Sequence, residues 1–454
     1  MISPAARSAL RMRVISTLLN KLGMGRVCEV EYPRTPSMDS NPWKGAAPVR
    51  MVTVLLVTFL LFLGLFVFFF QWGAQQELPV VGAPPAMPTE VSLPEPPGIR
   101  IREVVQGLED VAALESAPDG ALFVGERSGR IEWVPGAGNE ETETLVTLEE
   151  VVPVDGGGLM GLAFMDPDDG SDGALYALHT ALAPGERDGA APDSEEARLE
   201  SRVVRVLLEG EDAGEPETVR GGLPAGTRKN GGGLAFGPDG FLYASIGDVG
   251  TPSRAQDPVD PAGAILRMTP SGEAPSDNPW VEAGRGGDQG LVWATGFRDV
   301  RGLAWHPHGD SLFAVDRGPR DEWPGIGPLD EVNVVEPGGN YGWPEVVGAP
   351  GVEGFRDPWL TWVARVDPGG LAFLGDADLV LTSEATGAVI RVELGREGNG
   401  YVARAVERWF VDEAGAPRFR NPGALAEARD EAVYMAVAGS EGGSRTRVVR
   451  VEWE

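Results

Sequence analysis

The sequence predicts an all-β protein, a six-bladed β-propeller that is preceded by one transmembrane helix. Three observations carry this prediction. Short strands with alternating apolar residues lie between turns, and the chain has 63 Gly and 38 Pro without a collagen-like period. One unit of strand, turn and strand recurs six times along the chain. A single uncharged apolar stretch near the N-terminus is long enough to cross a bilayer.

The repeated unit is clearest in APDGALFVGERSGRIEWV, residues 117–134. Apolar residues that alternate with polar ones between turn residues are typical of antiparallel strands. A β-sandwich would not require six copies of one turn, so radial repetition is favoured. We therefore expect a propeller over residues 99–454, with the last strand, RVVRVEWE, closing the ring against the first blade. The further copies of the unit lie at 165–182, 237–272, 306–338, 374–394 and 428–454.

The N-terminal part of the chain predicts a membrane anchor. Residues 51–72 carry no charge, and no small-residue cleavage site follows them, which favours an uncleaved signal-anchor helix. Residues 1–50 have eight basic and three acidic residues, so this segment is expected to be cytoplasmic. Residues 73–98 are rich in proline and predict an extended linker. The expected protein is a single-pass membrane protein whose propeller is periplasmic or extracellular.

Composition restricts the class of partner. The formal net charge of −30 argues against binding of nucleic acid or of an anionic membrane surface by the bulk of the protein. The acidity suits either a surface outside the cytoplasm or a salt-adapted organism, and both alternatives remain open. Cys28 is the only cysteine, so an intrachain disulfide is excluded. Function should reside in the long inserted loops that reach one mouth of the propeller, 183–230, 250–262, 277–297 and 319–329.

Several motifs occur in an order that resembles a known family. They are GGLMGLAF (157–164), NGGGLAFGPDGFLYASIGD (230–248), AQDPVDPAGAILRM (255–268), DNPW (277–280), WATGFRDVRGLAW (293–305) and DEVNVVEPGGNYGWPEV (330–346). Together they resemble the glucose/sorbosone dehydrogenase family, whose soluble quinoprotein sugar dehydrogenases are six-bladed propellers that bind pyrroloquinoline quinone (PQQ) and calcium. The resemblance covers about residues 99–454. It implies a sugar or alcohol as the substrate and a respiratory electron acceptor as a partner.

The resemblance also implies site residues. Arg298, followed by Asp299 where the family has asparagine, corresponds to a cofactor contact, and Arg418 and Arg420 in PRFRNPG correspond to an arginine pair that holds the quinone. The carbonyl groups of Gly318 and Pro319 correspond to calcium ligands. Guanidinium groups suit the carboxylates of the cofactor, and oxygen ligands suit calcium.

Other family positions are changed in this chain. Lys229 stands where the family has its catalytic histidine, and it is the only lysine beyond residue 50. Gly156 and Ala385 stand where the family has a glutamine or glutamate and a lysine. A free lysine, with a pKa near 10.4, is protonated at pH 7, although desolvation can make a lysine a base. The three histidines, His179, His306 and His308, are expected to be structural.

Two functions from different classes follow. In the first, the protein is a membrane-anchored quinoprotein that oxidises an aldose or alcohol, with Lys229 as an altered base. In the second, the propeller retains the fold without the chemistry and binds carbohydrate or a partner protein. A calcium-dependent lactonase on a six-bladed propeller is a third class, but the motif GGNYGWP (338–344) gives it no support.

Overall fold

The structure is a computed structural model that describes residues 58–59 and 78–454. Gaps in this description lie at 137–141, 167–172, 186–197, 282–289 and 440–444, and at the single residues 211, 310, 321, 324, 377, 399 and 413. The predicted membrane helix, 51–72, lies outside the described residues except for Thr58 and Phe59. Within the described residues, no helix is both long and apolar enough to cross a membrane. Residues 77–454 form one compact unit of the chain.

Six antiparallel sheets succeed one another along the chain, which confirms the six-bladed β-propeller. Three strands precede the first complete blade: β1 (Val80–Val81), β2 (Val91–Leu93) and β3 (Ile99–Glu109). The strands of blade 1 are β4 (Val111–Ser116), β5 (Leu122–Glu126), β6 (Arg130–Val134) and β7 (Glu143–Thr147). Those of blade 2 are β8 (Leu159–Met165), β9 (Ala174–Leu182), β10 (Leu199–Glu209), β11 (Asp212–Ala213) and β12 (Glu217–Pro224).

Blades 3 and 4 contain the longest connections at the predicted site. Blade 3 consists of β13 (Gly231–Phe236), β14 (Leu242–Ile246), β15 (Ala264–Met268) and β16 (Val292–Thr295), with a 3₁₀ turn at Pro252–Gln256. Blade 4 consists of β17 (Val300–Trp305), β18 (Leu312–Asp316), β19 (Asp330–Val335) and β21 (Leu360–Trp362). The short strand β20 (Val346–Val347) lies between the last two in the chain and pairs with β1.

Blades 5 and 6 complete the ring. Blade 5 consists of β22 (Pro368–Leu374), β23 (Asp378–Ser383), β24 (Ala388–Glu397) and β25 (Gly400–Trp409), to which β2 adds a fifth strand. Blade 6 consists of β26 (Leu425–Glu427), β27 (Val433–Ala438), β28 (Arg445–Trp453) and β3.

The ring closes differently from the sequence expectation. The last strand, β28, does not pair with the first blade; it pairs with β3, from Arg445 opposite Glu109 to Trp453 opposite Ile99. The outer edge of blade 1 is already occupied by β7, whereas blade 6 has only three strands of its own. The segment before the first blade therefore supplies the fourth strand of the last one.

The proline-rich segment is also placed differently from the expectation. Its described part, residues 78–98, is not a free stalk but a strap on the propeller. There, β1 pairs in parallel with β20, and β2 pairs in parallel with β25. Glu90 between them accepts a hydrogen bond of 2.6 Å from Trp362 Nε1. Backbone groups of β1 and β2 therefore form hydrogen bonds with strands of two blades.

Apolar side chains fill the spaces between neighbouring blades. Between blades 4 and 5, Phe313 and Val315 face Leu371, Leu381 and Ile390, and all five are almost fully buried. Each blade therefore contributes both faces of its sheet to the core, as expected for strands that lie between two other sheets.

The strand directions gather the candidate site residues at one face. Because neighbouring strands are antiparallel, the start of the first strand and the end of the second lie at the same edge of a blade. We call this end of the propeller the site face. Lys229 and Arg298 each precede a first strand by two residues, and Asp248 follows a second strand by two residues. Glu322 belongs to the loop 317–329 that follows β18.

The backbone at Lys229 is tightly fixed. Lys229 has a φ of 56°, in the left-handed region that residues other than glycine rarely adopt. Its carbonyl oxygen accepts a hydrogen bond of 3.1 Å from Val249 N. A Cβ on Gly247 would lie 2.1 Å from this oxygen, so only glycine fits between the two loops.

Ring closure predicts the effect of two truncations. A chain that starts at residue 99 retains β3 and should fold cooperatively, whereas a chain that starts at residue 111 lacks it. The shorter chain leaves β28 unpaired and removes the buried side chains of Val105 and Leu108 from the core. Circular dichroism melting and size-exclusion chromatography compare the two chains. Equal melting temperatures would show that β3 does not close the ring.

The contact at Gly247 predicts a local destabilisation. The methyl group of Gly247→Ala meets backbone atoms of Lys229, so we expect a loss of about 1–3 kcal/mol and a melting temperature lower by roughly 1–4 °C. Gly221→Ala is the matched control, since the nearest atom to its Cβ would lie 3.6 Å away. Differential scanning fluorimetry measures both variants. The same melting temperature for both would contradict the tight fit.

Candidate functional site

The ammonium group of Lys229 lies between two carboxylates. Its Nζ contacts Glu322 Oε1 and is 3.6 Å from Asp248 Oδ2. It also lies 5.8 Å from the centre of the Trp343 ring. The side chain is 10% exposed, so it is mostly buried but still reaches the surface of the site face.

Arg298 binds the same carboxylate oxygen as Lys229. Its Nε and Nη2 donate to Glu322 Oε1 over 3.1 and 2.7 Å, and its Nη1 donates to Arg317 O over 3.2 Å. The guanidinium lies 5.4 Å from the centre of the Trp343 ring. Lys229 and Arg298, both predicted from the sequence, are therefore brought together by a residue that the sequence analysis did not identify.

Opposite charges balance in this cluster. Burial alone would raise the pKa of Glu322, but the hydrogen bonds and charges of Lys229 and Arg298 outweigh it and hold this pKa far below its ordinary value. Burial raises the pKa of Asp248, although Lys229 opposes this effect. Two cations and two carboxylates thus form a unit with no net charge when all four groups are ionised.

Trp343 forms the inner wall of the cluster. It is buried, and its Nε1 donates a hydrogen bond of 3.0 Å to Asp248 Oδ2. The Trp323 ring packs against it at a centroid distance of 5.0 Å. Because Trp323 follows Glu322 in the chain, this ring contact holds the loop 317–329 beside Lys229.

Asp299 points into the protein. Its Oδ1 accepts a hydrogen bond of 3.1 Å from Gly231 N and lies 3.7 Å from Arg301 Nη1. The backbone N–H groups of Arg298 and Asp299 both donate to the carboxylate of Asp316, whose pKa burial raises to about 7. The carboxylate of Asp299 thus holds the backbone at Gly231 in place. The predicted contact of Asp299 with a cofactor stays a prediction.

The predicted calcium ligands already face a cation. Both Gly318 O and Pro319 O accept a hydrogen bond of 3.2 Å from Arg320 Nη1. Arg320 Nη2 contacts Asp330 Oδ1 at 2.7 Å and also contacts Asp367. The two carbonyl groups therefore suit a positive charge, but a calcium ion fits them only if the Arg320 guanidinium moves. Their assignment to calcium stays a prediction.

Among the described residues, no hydrogen bond or ion pair joins the side chains of Arg418 and Arg420 to the cluster around Lys229. Arg418 is exposed and lies 5.6 Å from the centre of the Phe419 ring. Arg420 lines a cavity of about 670 Å³ and forms no ion pair or side-chain hydrogen bond with the described residues. Of the predicted cofactor contacts, the structure thus joins Arg298 to Lys229 and places the arginine pair between blades 5 and 6.

A second cavity, of about 760 Å³, opens at the site face beside the first. Both are lined by Glu384, Ala385, Asn421 and Ala438, so they are neighbours, and we describe them together as one ligand space. Spaces of this size hold drug-sized ligands. Five arginines line it, together with three acidic residues: Arg127, Arg365, Arg408, Arg420 and Arg445, with Asp110, Asp367 and Glu384. Neither Arg420 nor Arg445 has an ion-pair partner among the described residues, so these two guanidinium groups can pair with an anionic ligand.

The histidines and the changed family positions behave as structural residues. His179 is buried and its Nδ1 lies 3.1 Å from Thr180 O, while His308 pairs with Asp376 in an exposed turn. Ala385 lines both cavities but offers no polar side-chain atom. A Cβ on Gly156 would lie 3.5 Å from Lys229 N, so this position also borders the cluster.

Glu322 and Asp248 are the functional candidates that the sequence analysis missed. Asp248 ends the quoted motif SIGD, and its position after a strand on the site face was the available signal. Glu322 lies in an insertion without any periodic pattern, so only its place in the loop 319–329 pointed to it.

Known proteins share this fold and sequence. A crystal structure from Thermus thermophilus, of an oxidoreductase with glucose dehydrogenase in its name, is 35% identical, with a TM-score of 0.67 over 78% of this chain and 100% of that one. The PQQ-bound aldose sugar dehydrogenase of Streptomyces coelicolor is 30% identical, with a TM-score of 0.64 over 82% of this chain and 99% of that one.

A curated relative belongs to the same class of enzyme. Quinoprotein glucose dehydrogenase B of Acinetobacter calcoaceticus is 28% identical over 58% of this chain and 56% of its own length. The family model described as Glucose / Sorbosone dehydrogenase matches residues 108–448, which span most of the propeller. The chain therefore belongs to the glucose/sorbosone dehydrogenase family.

Proposed function

We propose that this protein is a PQQ-dependent oxidoreductase that oxidises a hydroxyl group of an aldose sugar. The observation that carries the proposal is the arginine-lined space at the site face, in a chain 30% identical to a PQQ-bound aldose sugar dehydrogenase. When bound, PQQ would supply a quinone that accepts hydride from the sugar.

The residues of this chain would bind and orient the ligands. Arg420 and Arg445 would pair with carboxylates of the cofactor, since both guanidinium groups border the space without described ion-pair partners. Trp343 and Trp323 would exclude water from the inner wall beside Lys229. Calcium, if used, would have to replace Arg320 at the Gly318 and Pro319 carbonyl groups.

One observation favours the alternative, a propeller that binds carbohydrate or a partner protein without catalysis. Lys229 replaces the histidine that the family resemblance assigns as the base, and it is paired with Glu322. An ammonium ion in contact with a carboxylate does not accept a proton. The alternative predicts carbohydrate binding without PQQ binding.

The cellular placement belongs to the same proposal. The uncharged stretch 51–72 with its basic flank supports a membrane anchor, which would hold the propeller outside the cytoplasm and near a respiratory electron acceptor. The full chain should remain in the membrane pellet after alkaline carbonate extraction, whereas a chain that starts at residue 78 should be released. Release of the full chain would argue against the anchor.

PQQ binding tests the proposed function directly. We expect calorimetry and the quinone absorbance to show micromolar or tighter binding of PQQ to the full chain. Arg420→Gln should weaken this binding about tenfold or more, because a charge-assisted hydrogen bond is lost. The titration is repeated with calcium and with a chelator, which separates a calcium-dependent site from one that Arg320 already fills.

Arg429→Gln is the matched control, since Arg429 is exposed and pairs with Asp166 away from both cavities. It should leave the PQQ affinity unchanged. Oxidation of D-glucose with an artificial electron acceptor follows if PQQ binds. The absence of binding at high micromolar PQQ would reject the enzyme and favour the carbohydrate-binding alternative.

A further inference from the structure

Lys229 and Glu322 are distant in the sequence but form a direct ion pair in the structure. Lys229 is the only lysine after Lys44. Glu322 reaches it from the loop that joins β18 and β19, 93 positions further along the chain. Lys229, which stands in place of the family's histidine, therefore contacts a carboxylate, Glu322, that belongs to an inserted loop.

Both oxygens of Glu322 are committed. Oε1 accepts hydrogen bonds from Lys229 and from two nitrogens of Arg298, and Oε2 accepts one of 2.7 Å from Arg320 N. A carboxylate with this many charged and neutral donors is held in one position. The contact between Trp323 and Trp343 holds the adjacent part of the loop.

The ammonium group of Lys229 lies among three other charged side chains. A neutral amine at this position would leave the carboxylates of Glu322 and Asp248 facing the single guanidinium of Arg298. With an ammonium ion at this position, the two carboxylates face two cations, Lys229 and Arg298. Asp248 is fully buried and cannot touch a ligand, whereas Lys229 and Glu322 are partly exposed.

We propose that Glu322 is a positioning residue that holds the ammonium group of Lys229 in one place on the site face. Lys229 is then a hydrogen-bond donor to a hydroxyl or carbonyl oxygen of a bound sugar. The identity of the ligand rests on the proposed function, but the pairing of Lys229 with Glu322 does not.

Lysine acylation tests the pairing without cofactor or substrate. In the full chain with Lys21→Arg and Lys44→Arg, Lys229 is the only lysine, so an amine-specific acetylating reagent reports on this side chain and on the N-terminal amine as an internal reference. Only the unprotonated amine reacts. Glu322→Gln has nearly the same size and removes one charge, so we expect Lys229 to be acetylated about tenfold faster or more.

Two further variants separate charge from structure. Glu322→Asp retains the carboxylate and should restore slow acetylation, which a role in loop packing alone would not require. Glu336→Gln is the matched control, because Glu336 pairs with the exposed Arg356 on the same blade and should leave the rate unchanged. Circular dichroism confirms that each variant is folded.

The acetylation rates test only the pairing of Lys229 with Glu322. A change of less than twofold in Glu322→Gln, or equal rates in Glu322→Gln and Glu322→Asp, would overturn the proposal. The PQQ titration fails or succeeds independently of this result, so the two proposals can be distinguished.

Discussion

The antiparallel pairing of β28 with β3 is the interaction on which the rest of the propeller depends. Blades contact only their neighbours, so the ring must close before the first and last blades acquire fixed positions. Only Asp110 separates β3 from β4, which means that one continuous segment completes blade 6 and begins blade 1. The space at the site face, lined by Asp110 of this segment and by Arg445 of β28, exists only when this closure has formed.

The chemistry of the site follows from charges contributed by neighbouring blades. The connection into blade 3 supplies Lys229, the connection into blade 4 supplies Arg298, and the loop after β18 supplies Glu322. None of these residues is close to another in the sequence, yet the strand directions bring Lys229 and Arg298 to one carboxylate oxygen of Glu322. Buried charges are tolerated when partners satisfy them, and the inserted loop supplies that partner.

The fold was predictable because its signals are local and repeated. Alternating strands and turn residues show in the sequence six times, and the site face follows from antiparallel pairing. The contacts of Glu322 and of Arg320 were not predictable, because they depend on how an insertion without periodicity folds back onto other blades.

The pairing partners of the strap, residues 78–98, were not predictable from the sequence either. Proline-rich composition predicts an extended backbone, and β1 and β2 are extended, but composition does not say what an extended segment pairs with. The partners, β20 and β25, lie far along the chain in blades 4 and 5. The closing strand was likewise assigned to the wrong neighbour, since the alternating pattern of β3 marks a strand without identifying its blade.

The strap has a mechanical consequence. A pulling force on the N-terminal side of the chain reaches β1 and β2 first, and these hold by only two and three residue pairs. The closing strand beyond them holds by nine pairs with β28. The short pairs would therefore break first and lengthen the chain, which dissipates the load while the ring remains closed.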